Sequence, residues 1–483
     1  MLNAVRYKNF KRYDDTTLDL SKRLTILVGP NSSGKSSLIK GILAFKQTYG
    51  DPSDHAGFVA QGQYVDIGNF VEYAKDHDIS RNTTFVFSIR TDGAVRHSLL
   101  VEEAFIEIEH ANDPQTGHGR VESYSLYLPA PNSGVTIDNY ADCECVIQFK
   151  RMNKTDESFR VSFTEDFYIL LINKFKFIAP GTSKVDYQKI SQALKLGVFQ
   201  GKRDNKNGMS ISPEREPLRE EFFNFVFPAE RFVLLPLHNQ LFESLTEATY
   251  ALASLREKPV RSMTLTDERR VVGPTGAHTA AVYHYMRQRS VKAGKRQARI
   301  KDDYNRLDMW LSRLKLGRDI EINNWRDLID LRMKSNDASL ASDSVVDVGV
   351  GFSQAAPILV QLAAMPDDTM LIVEQPELHL YPWSQTRLGE ILCEEAHRGR
   401  KRIVLETHSE HLIHGIQLHV SNVRAGKIEG LRPEDVQIVY VSGDSSLSQI
   451  TLNEYGEFVS DWPDGFFDQT LRVYRTLIEN RNK

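Results

Sequence analysis

The stretch Leu24–Phe45, LTILVGPNSSGKSSLIKGILAF, decides how the first part of this chain folds. The residues Leu24–Val28 are almost all apolar and predict a short buried strand. Leu38, Ile42 and Phe45 then recur at helical spacing. Between these two patterns lies a loop rich in glycine and serine. The sequence therefore predicts a strand, a tight loop and an amphipathic helix in direct succession.

The loop fits the phosphate-binding pattern G-x-x-x-x-G-K-[ST]. Gly29 and Gly34 let the backbone curl so that successive N–H groups converge on an anion, and the helix that follows adds the positive end of its dipole. Lys35 is expected to reach the β- and γ-phosphates, and the Ser36 hydroxyl to coordinate Mg²⁺. The residues predicted to bind ATP are Gly29, Pro30, Asn31, Ser32, Ser33, Gly34, Lys35, Ser36 and Ser37.

Composition sets broad limits on the class of protein. The chain has 483 residues, of which 41% are hydrophobic and 26% charged, as in soluble globular proteins of two or three domains. A net charge of −4 leaves a nucleic-acid partner open, because a basic face can lie within a neutral total. The three cysteines cannot form a disulfide framework, and no apolar run approaches the roughly 20 residues that span a bilayer. We therefore expect a cytoplasmic protein without a membrane partner.

The pattern along the chain predicts three parts. Residues 1–175 form an N-terminal lobe with the phosphate loop and an antiparallel β layer. Residues 176–335 read as a mainly helical insertion, and residues 336–483 return to alternating strands and helices. The predicted fold class is α/β, with one nucleotide-binding head formed by both chain ends, an antiparallel β layer and an inserted helical domain.

Two strands in the last part end in polar residues that suit a nucleotide site. In MLIVEQPELHL an apolar strand ends at Glu374, a carboxylate that could hold Mg²⁺ through its water shell. In RIVLETHSEHL the strand Ile403–Leu405 precedes His408. Upstream, VDVGVGFSQAAPILVQ places a glycine-rich turn before an apolar helix, whose N-terminus is again receptive to anions.

The order of phosphate loop, glycine-rich helix start, acidic strand end and strand-end histidine resembles ABC-type ATPases of the SMC/RecF branch, which includes OLD-like and AAA-like ATPases. The stretches VGVGFSQAAPILVQ, EQPELHLYP, ETHSEHLI and GEFVSDWPDGFFD are similar to bacterial AAA ATPases with a DUF3696-type C-terminus. Similar ATPases are subunits of antiphage systems such as Septu and PARIS. The resemblance implies ATP and Mg²⁺ as cofactors, a homodimer or larger assembly with ATP sandwiched between heads, and a separately encoded effector such as a nuclease.

The resemblance also implies roles for individual residues. Ser36 and Glu374 would lie on the magnesium side, and His408 would sense the γ-phosphate. The signature expected to act in trans across the dimer consists of Gly349, Gly351, Ser353 and Gln354. It departs from the serine-glycine-glycine signature of the family, which leaves the register of that contact open. The residues in the positions where relatives hold the base or ribose are Lys8, Asn9 and Phe10.

Gln375 occupies the position where ABC-type relatives carry the glutamate that activates water. A glutamine amide can orient a water molecule, but it has no useful basicity with which to take its proton. Slow hydrolysis is therefore expected. Glu377 is the alternative base if the turn at Pro376 brings its carboxylate inward, so the catalytic candidates are Gln375, Glu377 and His408.

Two classes of function follow. The first is an ATP-binding, slowly hydrolysing sensor and scaffold subunit of an antiphage complex that controls a separate effector. The alternative is a DNA-repair or chromosome-associated clamp of the RecF/SMC type. The run Arg287–Lys301 has seven basic residues and no acidic one, which suits either a contact with the DNA backbone or a solvated helix face.

Overall fold

The chain divides into two compact units in the computed structural model. Unit 1 comprises Met1–Ser21 and Ser37–Ala248, and unit 2 comprises Lys22–Ser36 and Thr249–Lys483. The structure describes residues 1–50, 58–91, 102–129, 133–143, 145–151, 159–163, 234–264, 270–292, 298–325, 328–334, 342–459 and 469–481.

The regular elements are numbered in chain order. The strands are β1 (Leu2–Phe10), β2 (Tyr13–Asp19), β3 (Leu24–Val28), β4 (Thr83–Arg90), β5 (Glu103–Asn112), β6 (Gly119–Tyr127), β7 (Cys145–Arg151), β8 (Phe159–Phe163), β9 (Thr249–Leu252), β10 (Met263–Thr264), β11 (Asp319–Trp325), β12 (Leu328–Lys334), β13 (Asp343–Ser344), β14 (Met370–Glu374), β15 (Arg402–Glu406), β16 (Val436–Val441) and β17 (Leu447–Ile450). The helices are α1 (Lys35–Gly50), α2 (Phe70–Tyr73), α3 (Leu234–Thr246), α4 (Thr279–Lys292), α5 (Ala298–Arg313), α6 (Val350–Ala364), α7 (Pro382–Arg398), α8 (Glu410–Arg424) and α9 (Gln469–Arg481).

Unit 1 is built on one antiparallel sheet in the order β2-β1-β4-β5-β6-β7-β8. Its inward residues are aromatic: Tyr7 and Phe10 of β1 pack on Phe85 of β4, and Phe45 of α1 lies against the same ring. Large aromatic side chains at alternate strand positions bury much apolar area on one face. The predicted antiparallel β layer is confirmed.

Unit 2 contains the sheet that carries the site, in the order β17-β16-β3-β15-β14-β9. The strands β16, β3, β15, β14 and β9 run parallel, and only β17 is antiparallel to its neighbour. β3 comes from the first part of the chain and β14 to β17 from the last part, which confirms a head built from both chain ends. Because the strands are parallel, the carboxyl ends of β3, β15 and β14 meet at one edge of the sheet.

Helices α4 to α8 share one hydrophobic core with this sheet. Helices α4, α5 and α6 pack on one another, and buried residues such as Tyr283, Trp310 and Phe352 join that core. Helices α7 and α8 pack closely together at Gly389, where a Cβ would lie only 2.3 Å from the Leu412 carbonyl oxygen. The absence of a side chain at Gly389 therefore permits this packing. The apolar helix periodicity in the sequence therefore corresponds to real buried faces.

The two units differ from the three predicted parts. Residues 249–334 were expected within a separate helical insertion at 176–335, but their described residues form α4, α5 and four strands, and they belong to unit 2. The physical reason is the shared core, since Trp310 and Leu314 of this segment belong to the same buried cluster as Leu388 of α7. Residues 176–233 lie outside the described residues.

The basic run Arg287–Lys301 falls at the junction of two helices. Its first six residues end α4, its last four begin α5, and residues 293–297 lie outside the described ranges. The Arg289 guanidinium lies 5.6 Å from the centre of the Tyr285 ring. No helix among the described residues is long and apolar enough to cross a membrane.

Candidate nucleotide-binding site

The phosphate loop connects the end of β3 to the start of α1. Gly29 has φ of +143°, and a Cβ there would lie 2.1 Å from the Val441 carbonyl oxygen, so a side chain is excluded. Gly34 also has positive φ, +110°. The hydroxyl of Ser445, in the turn between β16 and β17, donates to the Ser33 carbonyl oxygen at 2.9 Å. The loop is thus held by its glycines and by a neighbouring turn, with Asn31 and Ser32 at its exposed tip.

The side chain of Lys35 folds back across this loop. Its Nζ donates to the carbonyl oxygens of Gly29 at 3.1 Å and Pro30 at 2.7 Å. Burial lowers the pKa of Lys35, and the negative charge of Glu406 acts in the opposite direction. The ammonium group therefore lies among the backbone groups where a phosphate would bind, which suits its predicted role.

The hydroxyl of Ser36 is directed to a carboxylate that the sequence patterns did not single out. Ser36 Oγ donates to Glu406 Oε1 at 2.9 Å. Glu406 is the last residue of β15 and is only 5% exposed. Glu374, the predicted carboxylate, is the last residue of β14 and the direct register partner of Glu406. Two strand-end carboxylates thus lie side by side at the edge that carries the phosphate loop.

These side chains fit a magnesium ion bound together with a nucleotide. Ser36, Glu374 and Glu406 supply hard oxygen donors, and Mg²⁺ in nucleotide sites uses one or two carboxylates, several waters and the phosphate oxygens. Among the described residues, no group of three or more His, Cys, Asp or Glu side chains could hold a metal ion by itself. Ser36 and Glu374 therefore remain predicted magnesium-side residues, joined now by Glu406.

The backbone around Gln375 is unusual. Gln375 has φ of +44°, a conformation that costs energy for a residue with a side chain and that clusters at functional sites. Its N–H donates to the Glu406 carbonyl oxygen at 2.7 Å, so the ends of β14 and β15 are joined there. The half-buried Gln375 is thereby fixed at the edge where the phosphate loop begins.

The carboxylate of Glu377 turns inward, toward the segment after β15 that carries His408. Its Oε1 accepts the backbone N–H of His408 at 2.9 Å, and it also accepts a hydrogen bond from Thr407. Burial raises the pKa of Glu377, while these hydrogen bonds and the charge of Arg256 oppose that shift. One carboxylate oxygen therefore anchors the loop that carries the histidine.

His408 lies just beyond β15, with its ring half-buried. The N–H of the preceding Thr407 donates to the Leu27 carbonyl oxygen of β3 at 3.1 Å, which ties this segment to the phosphate-loop strand. Burial, and then the nearby charge of Lys35, lower the pKa of His408. A neutral imidazole within electrostatic reach of Lys35 suits the predicted γ-phosphate sensor.

A buried arginine joins the acidic strand end to the signature helix. Arg256 is 6% exposed and donates to the carbonyl oxygens of Glu374 at 2.8 Å and Gln354 at 3.3 Å. The Gln354 amide donates back to the Arg256 carbonyl oxygen at 3.4 Å. Burial lowers the pKa of Arg256 to about 10, and the charges of Glu377 and Glu374 oppose that shift. Arg256 thus links β14 with the first turn of α6.

The predicted signature has a buried part and an exposed part. Ser353 donates to the Val350 carbonyl oxygen at 2.7 Å and is 8% exposed, while Gln354 is held by Arg256. Gly349 caps α6 without a side-chain hydrogen bond and is exposed, as is Val350. Gly351 approaches the backbone after β14, since a Cβ there would lie 2.9 Å from the His379 carbonyl oxygen. The exposed start of α6 is therefore accessible to a second copy of the chain, whereas Ser353 and Gln354 are buried.

The residues predicted on the adenosine side belong to β1 in unit 1. Phe10 is fully buried among aromatic rings, and the Asn9 amide donates to the carbonyl oxygens of Arg81 and Asn82. Lys8 Nζ donates to the Tyr140 hydroxyl at 3.0 Å. This placement favours structural roles for Asn9 and Phe10, because the Asn9 side-chain N–H groups and the Phe10 ring are engaged within unit 1.

Three residues that hold the site together were not predicted from the sequence, namely Glu406, Arg256 and Ser445. A signal for Glu406 was available, because β15 ends in a glutamate just as β14 does. Arg256 and Ser445 left no such signal. Each comes from a segment distant in sequence and acts through backbone carbonyl groups.

Three family models match successive parts of the chain. Residues 1–215 match "AAA ATPase domain", residues 237–414 match "AAA domain, putative AbiEii toxin, Type IV TA system", and residues 431–477 match "Protein of unknown function (DUF3696)". AAA ATPase domains and a DUF3696 C-terminus are therefore confirmed. The predicted resemblance to ATPases with that C-terminus is correct at this level.

Individual relatives extend the comparison. The chain is similar to the DNA double-strand break repair Rad50 ATPase of Sulfolobus acidocaldarius, with 28% identity over 147 residues, a match covering 27% of this chain and only 17% of that protein. The Smc head domain of Pyrococcus furiosus, solved with an extended coiled coil and bound to the C-terminal domain of ScpA, covers 99% of both chains with TM-score 0.36 and 12% identity. The SMC head domain of Thermotoga maritima covers 94% of this chain and 99% of that one, with TM-score 0.35 and 12% identity.

Proposed function

We propose that this ATPase binds MgATP at the phosphate loop and hydrolyses it slowly, so that ATP acts as a long-lived latch for a dimer or larger assembly. The observation that carries the proposal is the phosphate loop beside Gln375, which stands directly after the strand-end carboxylate Glu374. The bound magnesium would neutralise charge on the phosphates. The side chains of the protein would bind the phosphates, hold the magnesium ion and sense the γ-phosphate.

Each side chain has a role that its position supports. Lys35 and the backbone of the phosphate loop would bind phosphate oxygens, because their donors converge on the loop. Ser36 and Glu374 would hold the magnesium side. His408 would respond to the γ-phosphate as a neutral hydrogen-bonding imidazole near Lys35.

Slow turnover follows from the groups around the site of water attack. Gln375 can orient water but cannot take a proton from it. Small GTPases that position water with a glutamine turn over on the order of 10⁻⁴ s⁻¹ without further help. Glu377 has the basicity that Gln375 lacks, but one of its oxygens is engaged by the His408 N–H. The latch therefore opens slowly unless another group or partner assists.

The assembly proposed for this latch is a pair of heads with ATP between them. The exposed start of α6, at Gly349 and Val350, supports that arrangement because a helix N-terminus favours an anion held by a second copy. Within the predicted signature, the exposed helix start is the part available for such a contact, since Ser353 and Gln354 bond within their own unit.

We further propose that the latch controls a separately encoded effector, such as a nuclease, in antiphage defence. One observation supports a role in defence: residues 237–414 match a family whose description is "AAA domain, putative AbiEii toxin, Type IV TA system". Isolation of the tagged protein from its own cells, with and without ATP, tests it. A nuclease that copurifies with the native chain and is released by Lys35→Ala supports the role, and its absence in both contradicts it.

The second candidate is a DNA clamp, favoured by the match to a Rad50 ATPase and by the basic run Arg287–Lys301. It predicts DNA binding that weakens steeply with salt, because each neutralised phosphate releases counterions. Neutralising Arg296, Arg299 and Lys301 should then abolish both binding and any DNA-stimulated turnover. DNA binding unchanged by these substitutions would contradict this candidate.

The latch itself is tested by measuring retained nucleotide, steady-state turnover and particle mass on one preparation. We expect ATP, rather than ADP, to remain bound after gel filtration, together with a mass of at least two chains. Lys35→Ala serves as the control that should lose both. Rapid turnover, with only ADP recovered, would contradict the latch.

A further inference from the structure

Glu406 lies outside both the phosphate loop and the acidic end of β14, but its carboxylate contacts the phosphate loop. It is buried, and its Oε1 accepts the hydroxyl proton of Ser36 at 2.9 Å. Its main-chain carbonyl oxygen accepts the N–H of Gln375 at 2.7 Å. One residue therefore contacts the phosphate loop with its side chain and the site's glutamine with its backbone.

Strand order explains why Glu406 makes this contact. β15 lies directly between β3 and β14, and Glu406 pairs in register with Leu27 of β3 on one side and Glu374 of β14 on the other. Neighbouring strands are about 4.8 Å apart, so a side chain on β15 is one strand closer to the phosphate loop than a side chain on β14. The charge of Glu406 is close enough to influence Lys35.

A serine hydroxyl has one proton to donate and two lone pairs to offer. When Glu406 accepts that proton, the lone pairs of Ser36 Oγ are left for a cation on the other side of the oxygen. Residues behind a metal ligand commonly orient it in this way and strengthen it as a donor. Glu406 is therefore built to act on a cation through Ser36.

The charges at the site point in the same direction. Lys35 and Arg256 contribute two positive charges, and the carboxylates of Glu374, Glu377 and Glu406 lie beside them. Metal-free ATP, which carries about four negative charges, would add to these carboxylates with only two positive side chains nearby, whereas MgATP brings two further positive charges with it. The site is thus suited to the metal complex of the nucleotide and unsuited to the free nucleotide.

We infer that Glu406 is a positioning residue that makes nucleotide binding depend on the divalent cation, by orienting Ser36 and by repelling metal-free ATP. This inference rests on the proposed binding of ATP at the phosphate loop. Its distinct consequence concerns the ratio of two affinities, not the hydrolysis rate, so it can be tested without any turnover.

The test measures dissociation constants of a slowly hydrolysed fluorescent ATP analogue with Mg²⁺ and with EDTA. The native chain should bind much more tightly with Mg²⁺. Glu406→Gln keeps an oxygen that can accept the Ser36 proton but removes the charge, and it should reduce the ratio of the two constants by about 10- to 100-fold. Most of that change should come from tighter binding of the metal-free analogue. Glu410→Gln, a partly exposed position on α8, should leave the ratio as in the native chain.

The route through Ser36 is tested by a double-mutant cycle with Ser36→Ala. If Glu406 acts through Ser36, the effects of Glu406→Ala and Ser36→Ala on binding with Mg²⁺ should fall short of additivity. Melting temperatures without nucleotide show whether each variant folds, and Glu406→Asp provides a second variant if alanine unfolds the chain. Asp retains the charge but shortens the reach, so it should weaken binding with Mg²⁺ while leaving metal-free binding weak.

The outcomes separate the inference from the function on which it rests. If the native chain binds the analogue in neither condition, the proposed ATP binding fails. If the native chain binds with a strong metal dependence and Glu406→Gln leaves the ratio unchanged, the inference about Glu406 is wrong while ATP binding stands.

Discussion

The ends of β14 and β15 are similar in sequence but differ in what they hold. Both strands end in a glutamate followed by residues of the candidate site, and the two glutamates are register partners. Glu406 of β15 reaches the phosphate loop through Ser36, whereas the carbonyl oxygen of Glu374 on β14 is bound by Arg256. The carboxylate nearest the phosphate loop is therefore set by strand order in the sheet, because β15 lies beside β3 and β14 lies one strand further away.

The largest expected effect on stability concerns the β14 end. Arg256→Met removes a buried guanidinium that bonds two carbonyl oxygens and balances the charges of Glu374 and Glu377. Leaving those buried groups unpaired should destabilise the fold by about 3 kcal/mol, measured by urea denaturation. Arg261→Met, an exposed arginine paired with Asp347, is the matched control and should unfold like the native chain. Equal stability of the two variants in urea would show that Arg256 does not stabilise the end of β14.

A smaller effect concerns pH and the same strand end. Burial raises the pKa of Glu377 in the folded chain, so the folded state binds this proton more tightly than the unfolded state. The contribution of Glu377 to stability is then fully present below its ordinary pKa near 4.5 and is lost as pH rises toward the raised value. Glu377→Gln should therefore gain stability relative to the native chain as pH rises through that window.

Urea denaturation at several pH values between 4 and 8 checks this difference. Glu410→Gln provides the control, since that residue is partly exposed on α8 and pairs with His414. If Glu377→Gln and the native chain differ by the same amount at every pH, the buried carboxylate does not titrate as described.

The smallest expected effect concerns the support of the phosphate loop that β15 faces. Ser445→Ala removes the hydrogen bond to the Ser33 carbonyl oxygen, which should cost about 1 kcal/mol of folding stability and weaken ATP binding by a few fold. Ser448→Ala, an exposed serine on β17, should change neither quantity. Unaltered ATP affinity in Ser445→Ala would show that the loop holds its conformation through its glycines alone.

Much of the fold and part of the site could be predicted from the sequence. Apolar patterns located β3, β14 and β15, whose residues belong to the core of unit 2, and α1, whose Phe45 packs on the Phe85 ring in unit 1. The phosphate loop was evident from Gly29, Gly34 and Lys35, since phosphate binding uses these residue types at this spacing and both glycines have positive φ. These strands, this helix and this loop are encoded by residues that lie close together in the sequence.

The remainder depends on contacts between distant segments. Helices α4 and α5 resemble an independent insertion in sequence, but their apolar faces complete the core of unit 2, as Trp310 shows. The inward direction of Glu377 and the linkage of Arg256 to Gln354 follow from turns and packing that no local pattern encodes. Glu406 could be placed only after the order of strands was known.

The most direct test of the central claim, a latch set by Gln375, is steady-state ATP turnover of three chains measured in parallel: native, Gln375→Glu and Glu377→Gln. If Gln375 sets the latch, turnover is slow in the native chain, increases by about 10²- to 10⁴-fold when a carboxylate replaces the amide, and changes little in Glu377→Gln. Brisk turnover in the native chain that Glu377→Gln stops would contradict it, because Glu377 would then be the base and ATP would drive a motor or a timer rather than a latch.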